Sequence, residues 1–438
     1  MRQKIDLLNG PVFPSLAKLA VPIMATSLVQ MAYNLTDMIW IGRIGSNAVA
    51  SVGAAGMYMW LSNGLVTLAR MGGQVHVGHA VGAGRTDFAG RYAATTFQMT
   101  LLLGVLYGLV CTIFSKPLIA FFHLASRSVI NDAVSYLMIT CGLVIFSFLN
   151  QISTSVGLVI NIILDPLLIF GIGPFPALKV TGAAIATIIA QMVVTLLFLF
   201  FASQDQILFH HIHLLQAPDS KKASEIFRLG LPSCLQSLVF TGISMTIARL
   251  VAGYGDAAVA VQKVGAQIES ISWMTSDGFA SAVNSFIAQN HGAGKEDRIH
   301  AGYRSALKIV LPWGLFCTIL LVCFPTPIFI TEPDVIPMGI SYLMILGFSQ
   351  LFSSLEITTS GAFCGYGRTL PPSITGITLN LLRIPMALAL TATPLALSGI
   401  WWSISITSIL RGLVLLCLIL IFFRRMAKKK EKSPSLSR

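Results

Sequence analysis

Long apolar stretches alternate with short polar connections along this chain. The stretches run to about 20 residues without strict every-other-residue alternation. That is the pattern of helices crossing a bilayer rather than of strands in a barrel. About twelve spans are predicted, over residues 16–41, 49–72, 93–114, 134–154, 155–172, 183–202, 226–251, 261–286, 306–324, 338–360, 374–392 and 400–423. The fold class is therefore all-α: a membrane protein of two six-helix bundles. Residues 1–202 form the first bundle, 203–224 a linker, 225–423 the second bundle and 424–438 a basic tail.

Composition agrees with that reading. Of 438 residues, 55% are hydrophobic and 11% charged, whereas a soluble domain carries about 25% charged residues. So little charge cannot coat a water-exposed surface, and the lipid bilayer becomes the main partner. The net charge of +12 would suit nucleic acid, but the basic residues fall between apolar stretches rather than on one soluble face. No nucleic-acid partner is expected. One set of connections holds Arg85, Arg91, Lys221, Lys222, Arg228, Lys295, Arg298, Arg304 and the tail from Arg424 to Lys432. The other set is poor in Lys and Arg. The positive-inside rule places the first set and both termini in the cytoplasm of a multi-pass plasma-membrane protein, which requires an even number of spans. The first apolar stretch lacks a cleavage site and is not a signal peptide. The seven cysteines form no CxxC pair, so neither a disulfide framework nor a metal site is indicated.

The chain repeats itself. Leu19-Ala20-Val21-Pro22 matches Leu229-Gly230-Leu231-Pro232, and 232 − 22 = 210. Gly82-Ala83-Gly84-Arg85 matches Gly292-Ala293-Gly294-Lys295, and 292 − 82 = 210. Further on, Ser135-Tyr136-Leu137-Met138-Ile139 matches Ser341-Tyr342-Leu343-Met344-Ile345, Asn161 and Pro166 match Asn380 and Pro385, and Gly182 matches Gly399. With an even number of spans per copy, the copies run parallel, related by a pseudo-two-fold axis along the membrane normal. Two such bundles enclosing a cleft are the architecture of an alternating-access transporter rather than of an enzyme. The first copy is shorter in one place. Glu356 to Asn380 covers 380 − 356 = 24 positions and Gln151 to Asn161 covers 161 − 151 = 10, a difference of 14. Two short helices bent near residues 153–157 are expected there.

Ionisable residues inside spans cost several kcal/mol, about 2.5–3.5 on insertion scales, and mark function by default. Asp37 lies in the first span. Asn161 and Asp165, four apart, share a helix face in the fifth, and Pro166 frees a backbone carbonyl beside them, which suits a proton or cation. In the second half Glu269, Trp273 and Asp277 fall at i, i+4 and i+8, one helix stripe, and Glu356 lies in the tenth span. Carboxylates with an aromatic ring make a plausible lining for organic cations; interhelical polar contacts are the plainer alternative. Arg249, Arg383 and Arg411 are placed to neutralise some of these acids. The Gly-Ala-Gly-Arg and Gly-Ala-Gly-Lys turns lack the spacing of a phosphate loop, so the chain is not read as an ATP-driven pump.

These residues resemble the multidrug and toxic compound extrusion (MATE) family over nearly the whole chain. The matching stretches are residues 31–45 around Asn34-Leu35-Thr36-Asp37, residues 161–171 around Asp165-Pro166, residues 182–187 and Gln289-Asn290-His291-Gly292-Ala293-Gly294. The resemblance implies cation-coupled efflux of small organic cations by a monomer without a cofactor. H+ or Na+ is the coupling ion. It is similar to the DinF-like branch, which implies a coupling site at Asp37, Asn161, Asp165 and Thr187. Glu269, Trp273, Asp277 and Glu356 are the candidates for the substrate cleft. Two other readings remain open at this level: a flippase for a lipid-linked carrier, and a transport-impaired remnant left by the short stretch between the fourth and fifth spans.

Overall fold

The computed structural model describes residues 6–44, 46–122, 126–150, 167–169, 177–203, 219–325 and 335–432. Among them the chain forms fourteen helices and no strand. In the first half these are α1 (Val12–Ile44), α2 (Ser46–Gly82), α3 (Thr86–Ile113), α4 (Ser115–Ala120), α5 (Arg127–Gly142), α6 (Val144–Asn150) and α7 (Lys179–Ser203). In the second they are α8 (Ser220–Ala252), α9 (Asp256–Gly292), α10 (Glu296–Cys323), α11 (Ile336–Gly347), α12 (Gln350–Gly365), α13 (Leu370–Thr391) and α14 (Leu397–Lys432). Among the described residues five helices are long and apolar enough to cross a membrane, or six if α11 and α12, bent by 44° at their junction, count as one span. The protein is a multi-pass helical membrane protein. The predicted span 338–360 is thus broken in two, and 134–154 is likewise interrupted after Gly142. The shortened stretch at residues 151–166 lies outside the described residues.

The repeated Gly-Ala-Gly turns fold alike. Gly84 and Gly294 adopt φ of +71° and +69°, a left-handed conformation that costs other residues a Cβ clash. Arg85 N–H donates to Ala80 carbonyl at 2.9 Å, and Lys295 N–H to Asn290 carbonyl at 2.9 Å. These bonds satisfy carbonyls that the helix ends leave open. The lipid-facing stripe repeats as well. Exposed Val105, Leu106, Leu109 and Val110 on α3 match exposed Leu315, Phe316, Ile319 and Leu320 on α10 at the 210-residue offset.

The chain divides into two compact units. One comprises Met1–Ala25, Val81–Gly84 and Val239–Arg438; the other comprises Thr26–Ala80 and Arg85–Leu238. In the first unit a buried core joins Leu16 and Ala20 to Phe279, Phe286, Ile299 and Tyr303. A second core centres on Tyr342 and Trp401. In the other unit Ile41, Ala55, Ile119, Leu137 and Ile169 share a core. Lipid tails are as apolar as leucine, so helices here associate through close backbone packing. A Cβ on Gly230 would fall 1.8 Å from Leu68 carbonyl oxygen, and one on Gly72 would fall 2.3 Å from Ile226 carbonyl oxygen.

Candidate functional site

The first-half constellation is described in part. Asp37 belongs to α1, and Thr187 is buried on α7. Asn161 and Asp165 lie outside the described residues. The stretch 167–169, which follows Pro166, is held against the start of α7: Leu178 N–H donates to Leu168 carbonyl at 2.9 Å. A Cβ on Gly182 would come within 2.4 Å of that same oxygen, so backbone meets backbone. The helix carrying Thr187 is thereby packed beside the chain that continues from Asp165.

The second-half acids are fully described, and they occupy different surroundings. α9 and α12 approach closely: a Cβ on Gly361 would lie 2.5 Å from Ala280 carbonyl oxygen, and Ser276 Oγ donates to Ser354 Oγ at 2.9 Å. Glu356 on α12 is buried and pairs with Arg411 of α14, Oε1 to Nη1 3.3 Å. Arg411 Nη2 donates to Ser408 Oγ at 3.2 Å. The same hydroxyl accepts from Arg383 Nη2 at 2.9 Å, while Arg383 Nε donates to Thr407 Oγ1 at 2.8 Å. Ser408 therefore joins two buried guanidinium groups. The guanidinium carbon of Arg383 also lies 5.9 Å from the centre of the Phe240 ring.

Glu269 has no such partner of opposite charge at bonding distance among the described residues. Its Oε2 accepts from Gln350 Nε2 at 3.4 Å, and its Oε1 is buried without a hydrogen bond. Tyr342 packs alongside, since a Cβ on Gly265, one turn before Glu269, would strike its ring at 2.1 Å. Trp401 meets the Tyr342 ring edge-on, centroids 5.2 Å apart. Trp273 and Asp277, later in the predicted stripe, are both exposed. The stripe is thus one helix face with a buried carboxylate at one end and exposed groups beyond it.

Sequence reasoning named both arginines as neutralising groups, and Arg411 is one for Glu356. It missed Tyr342, Gln350, Thr407 and Ser408. Thr407 and Arg411 at i and i+4 were a readable polar stripe. Gln350 opens α12 at its bend from α11, which hydropathy does not report, and Tyr342 lies within α11. Among the described residues no group of three or more His, Cys, Asp or Glu side chains could hold a metal ion.

The MatE family model matches residues 22–174 and 232–389. The chain is 28% identical over 446 aligned residues to a probable multidrug resistance protein NorM of Thermotoga maritima, covering 97% of this chain and 94% of that protein. It is 26% identical to an FAD transporter of Shewanella oneidensis, covering 94% and 95%. A MOP superfamily transporter from Pyrococcus furiosus shares the fold with a TM-score of 0.88 at 22% identity, covering 97% of this chain and 98% of that one.

Proposed function

Because the chain belongs to the MatE family, we propose that it is a secondary active exporter that exchanges H+ or Na+ for organic cations by alternating access. The observation that carries this reading is the family match in both halves together with acids inside the membrane-spanning region of each half. Asp37 and Asp165 are assigned the coupling ion, with Asn161 and Thr187 as uncharged ligands. Two carboxylates in one low-dielectric site repel each other, and a bound proton or Na+ relieves that repulsion. A cationic substrate does the same, so ion and substrate compete. That competition is the basis of exchange.

Glu269, Trp273, Asp277 and Glu356 are assigned to the substrate cleft. Glu356 already faces Arg411, so Asp277 supplies an exposed carboxylate, Glu269 a buried one, and Trp273 an aromatic face for cation–π contact. Both termini are assigned to the cytoplasm and the protein to the plasma membrane, from the distribution of Lys and Arg. Export then runs outward as protons or sodium run inward.

Ethidium uptake into everted vesicles, the direction that corresponds to cellular efflux, driven separately by proton and sodium gradients, tests the reading. Uptake under one gradient and its loss in Asp37→Asn support it. Unchanged gradient-driven uptake in Asp37→Asn would remove Asp37 from coupling. A second reading is an anionic cargo, favoured by the two buried arginines joined at Ser408 and by the resemblance to an FAD transporter. Flavin accumulation without ethidium uptake would select it.

A further inference from the structure

The residues before α1 are held by a receptor built from the other half of the sequence. Asp6 closes a turn, its Oδ1 accepting the N–H groups of Leu8 and Asn9, both at 2.9 Å. Leu7 is buried in the core that contains Phe286, Ile299 and Tyr303. Leu7 carbonyl accepts from Asn290 Nδ2 and from Arg298 Nη2, each at 3.1 Å. Gly10 carbonyl accepts from Arg298 Nη2 at 2.8 Å. Lys295 Nζ donates to Leu8 carbonyl at 3.0 Å and to Asn9 Oδ1 at 2.7 Å. The receptor is itself braced: Asn290 is fully buried, donates to Phe286 carbonyl at 2.8 Å, and accepts from Arg298 Nε at 3.2 Å.

The repeat shows that this receptor is not needed for the turn that carries it. At the 210-residue offset Asn290 corresponds to Ala80, since 290 − 210 = 80, and Arg298 to Phe88, since 298 − 210 = 88. The first copy makes the same left-handed glycine turn without either side chain. Asn290 and Arg298, which bind the backbone of residues 7–10, are thus particular to the second copy. The segment they grip leads into α1, the helix that belongs to one unit up to Ala25 and to the other from Thr26.

We propose that residues 6–10 are a releasable strap, docked on Asn290, Lys295 and Arg298 in the state seen here and detached in the alternate state of the transport cycle. This rests on the transport reading above. The contacts suit reversal. Apart from the Asn290 bond they are charge-assisted hydrogen bonds, from Lys295 and Arg298, to oxygens for which water can substitute.

Double electron–electron resonance in proteoliposomes tests the strap. Spin labels go on Pro11→Cys and Arg304→Cys of the full-length chain with its native cysteines replaced. Both positions are exposed and lie in one unit. Two distance populations are expected, the longer one growing when a proton gradient is imposed. Asn290→Ala with Arg298→Phe, the residues of the first copy, should raise the longer population about tenfold or more, as loss of charged hydrogen bonds implies. Should that pair misfold, Lys295→Ala at the rim must shift the populations in the same direction. A single short distance, unmoved by the gradient and by whichever of these variants folds, overturns the strap. Ethidium efflux is followed in parallel without labels. Efflux with one distance rejects the strap alone, whereas two distances without efflux reject the transport reading while the strap stands.

Discussion

Replacing Arg411 by Met should destabilise the protein by about 3 kcal/mol, and Glu356→Gln in the same chain should recover most of that loss. The pair is buried with 3.3 Å between Nη1 and Oε1. At an effective dielectric constant of about 20, that separation corresponds to roughly 5 kcal/mol of Coulomb attraction. Removing one partner leaves a buried uncompensated charge, which costs about 3–5 kcal/mol. Arg383 also acts on Glu356 electrostatically, which sets the expectation at the lower end. Methionine keeps the packing volume of the arginine stem, so the loss reads charge rather than a cavity. A loss of about 3 kcal/mol multiplies the unfolded fraction by roughly 150. Unfolding in mixed micelles by increasing SDS fraction measures it, with wild type, both single variants and the double variant forming a cycle. Equal stability of Arg411→Met and wild type, or a double variant no better than Arg411→Met, would refute the reasoning. Either result would mean that Glu356 is neutral or solvated where it sits.

Three further outcomes follow from other parts of the chain. At the start of α8 the Asp219 carboxylate accepts a side-chain hydrogen bond from Lys222 and backbone bonds from Lys222 and Lys221, which hold its pKa below the usual value. A depressed carboxylate contributes stability above its unfolded pKa of about 3.9, and that contribution disappears as pH falls through the lower folded value. Protection factors of the Lys221, Lys222 and Ala223 amides, each exchange rate taken relative to the unstructured-peptide rate at the same pH, should therefore be high at pH 7, fall below about pH 4, and be low already at pH 7 in Asp219→Ala; pH-independent protection factors in wild type contradict this. A cysteine at Ser435 should react with an impermeant maleimide only from the cytoplasmic side and one at Ala125 only from outside, and the reverse pattern would invert the topology. Inserting a turn based on residues 361–372 between Ser155 and Val156 should raise thermal stability in detergent, whereas an unchanged melting curve would mark the short connection as a native feature.

The all-helical, membrane-spanning character of the fold was legible because lipid imposes a coarse rule. Twenty apolar residues in a row have one stable solution, and the 210-residue offset fixed which helices correspond. The helix breaks were not legible. Hydropathy averages over a span, and the 44° bend between α11 and α12 leaves that average unchanged. The site was legible in its charges and not in its neutral partners. Glu269, Glu356, Arg383 and Arg411 stand out in an apolar sequence, whereas Ser408 and Gln350 look like any polar residue of a membrane helix until the arginines and Glu269 are seen around them. Periodicity put Glu269 and Asp277 on one stripe; it could not tell that the first has a buried oxygen and the second is exposed.

The repeat has kept its length in some segments and changed it in others. α2 and α3 begin and end at positions that α9 and α10 reproduce without a residue gained or lost: 256 − 46, 292 − 82, 296 − 86 and 323 − 113 all equal 210. Pro22 in α1 and Pro232 in α8 keep that offset, 232 − 22 = 210, whereas Asn161 and Asn380 stand 380 − 161 = 219 apart. Such a record is what gene duplication and fusion leave when selection tolerates changes of length in some segments and rejects them in others. The hairpin of two long helices is the segment whose length the two copies still share. After fusion each copy was free to specialise, and Asn290 and Arg298, present in one hairpin and replaced by Ala80 and Phe88 in the other, are the trace of that divorce.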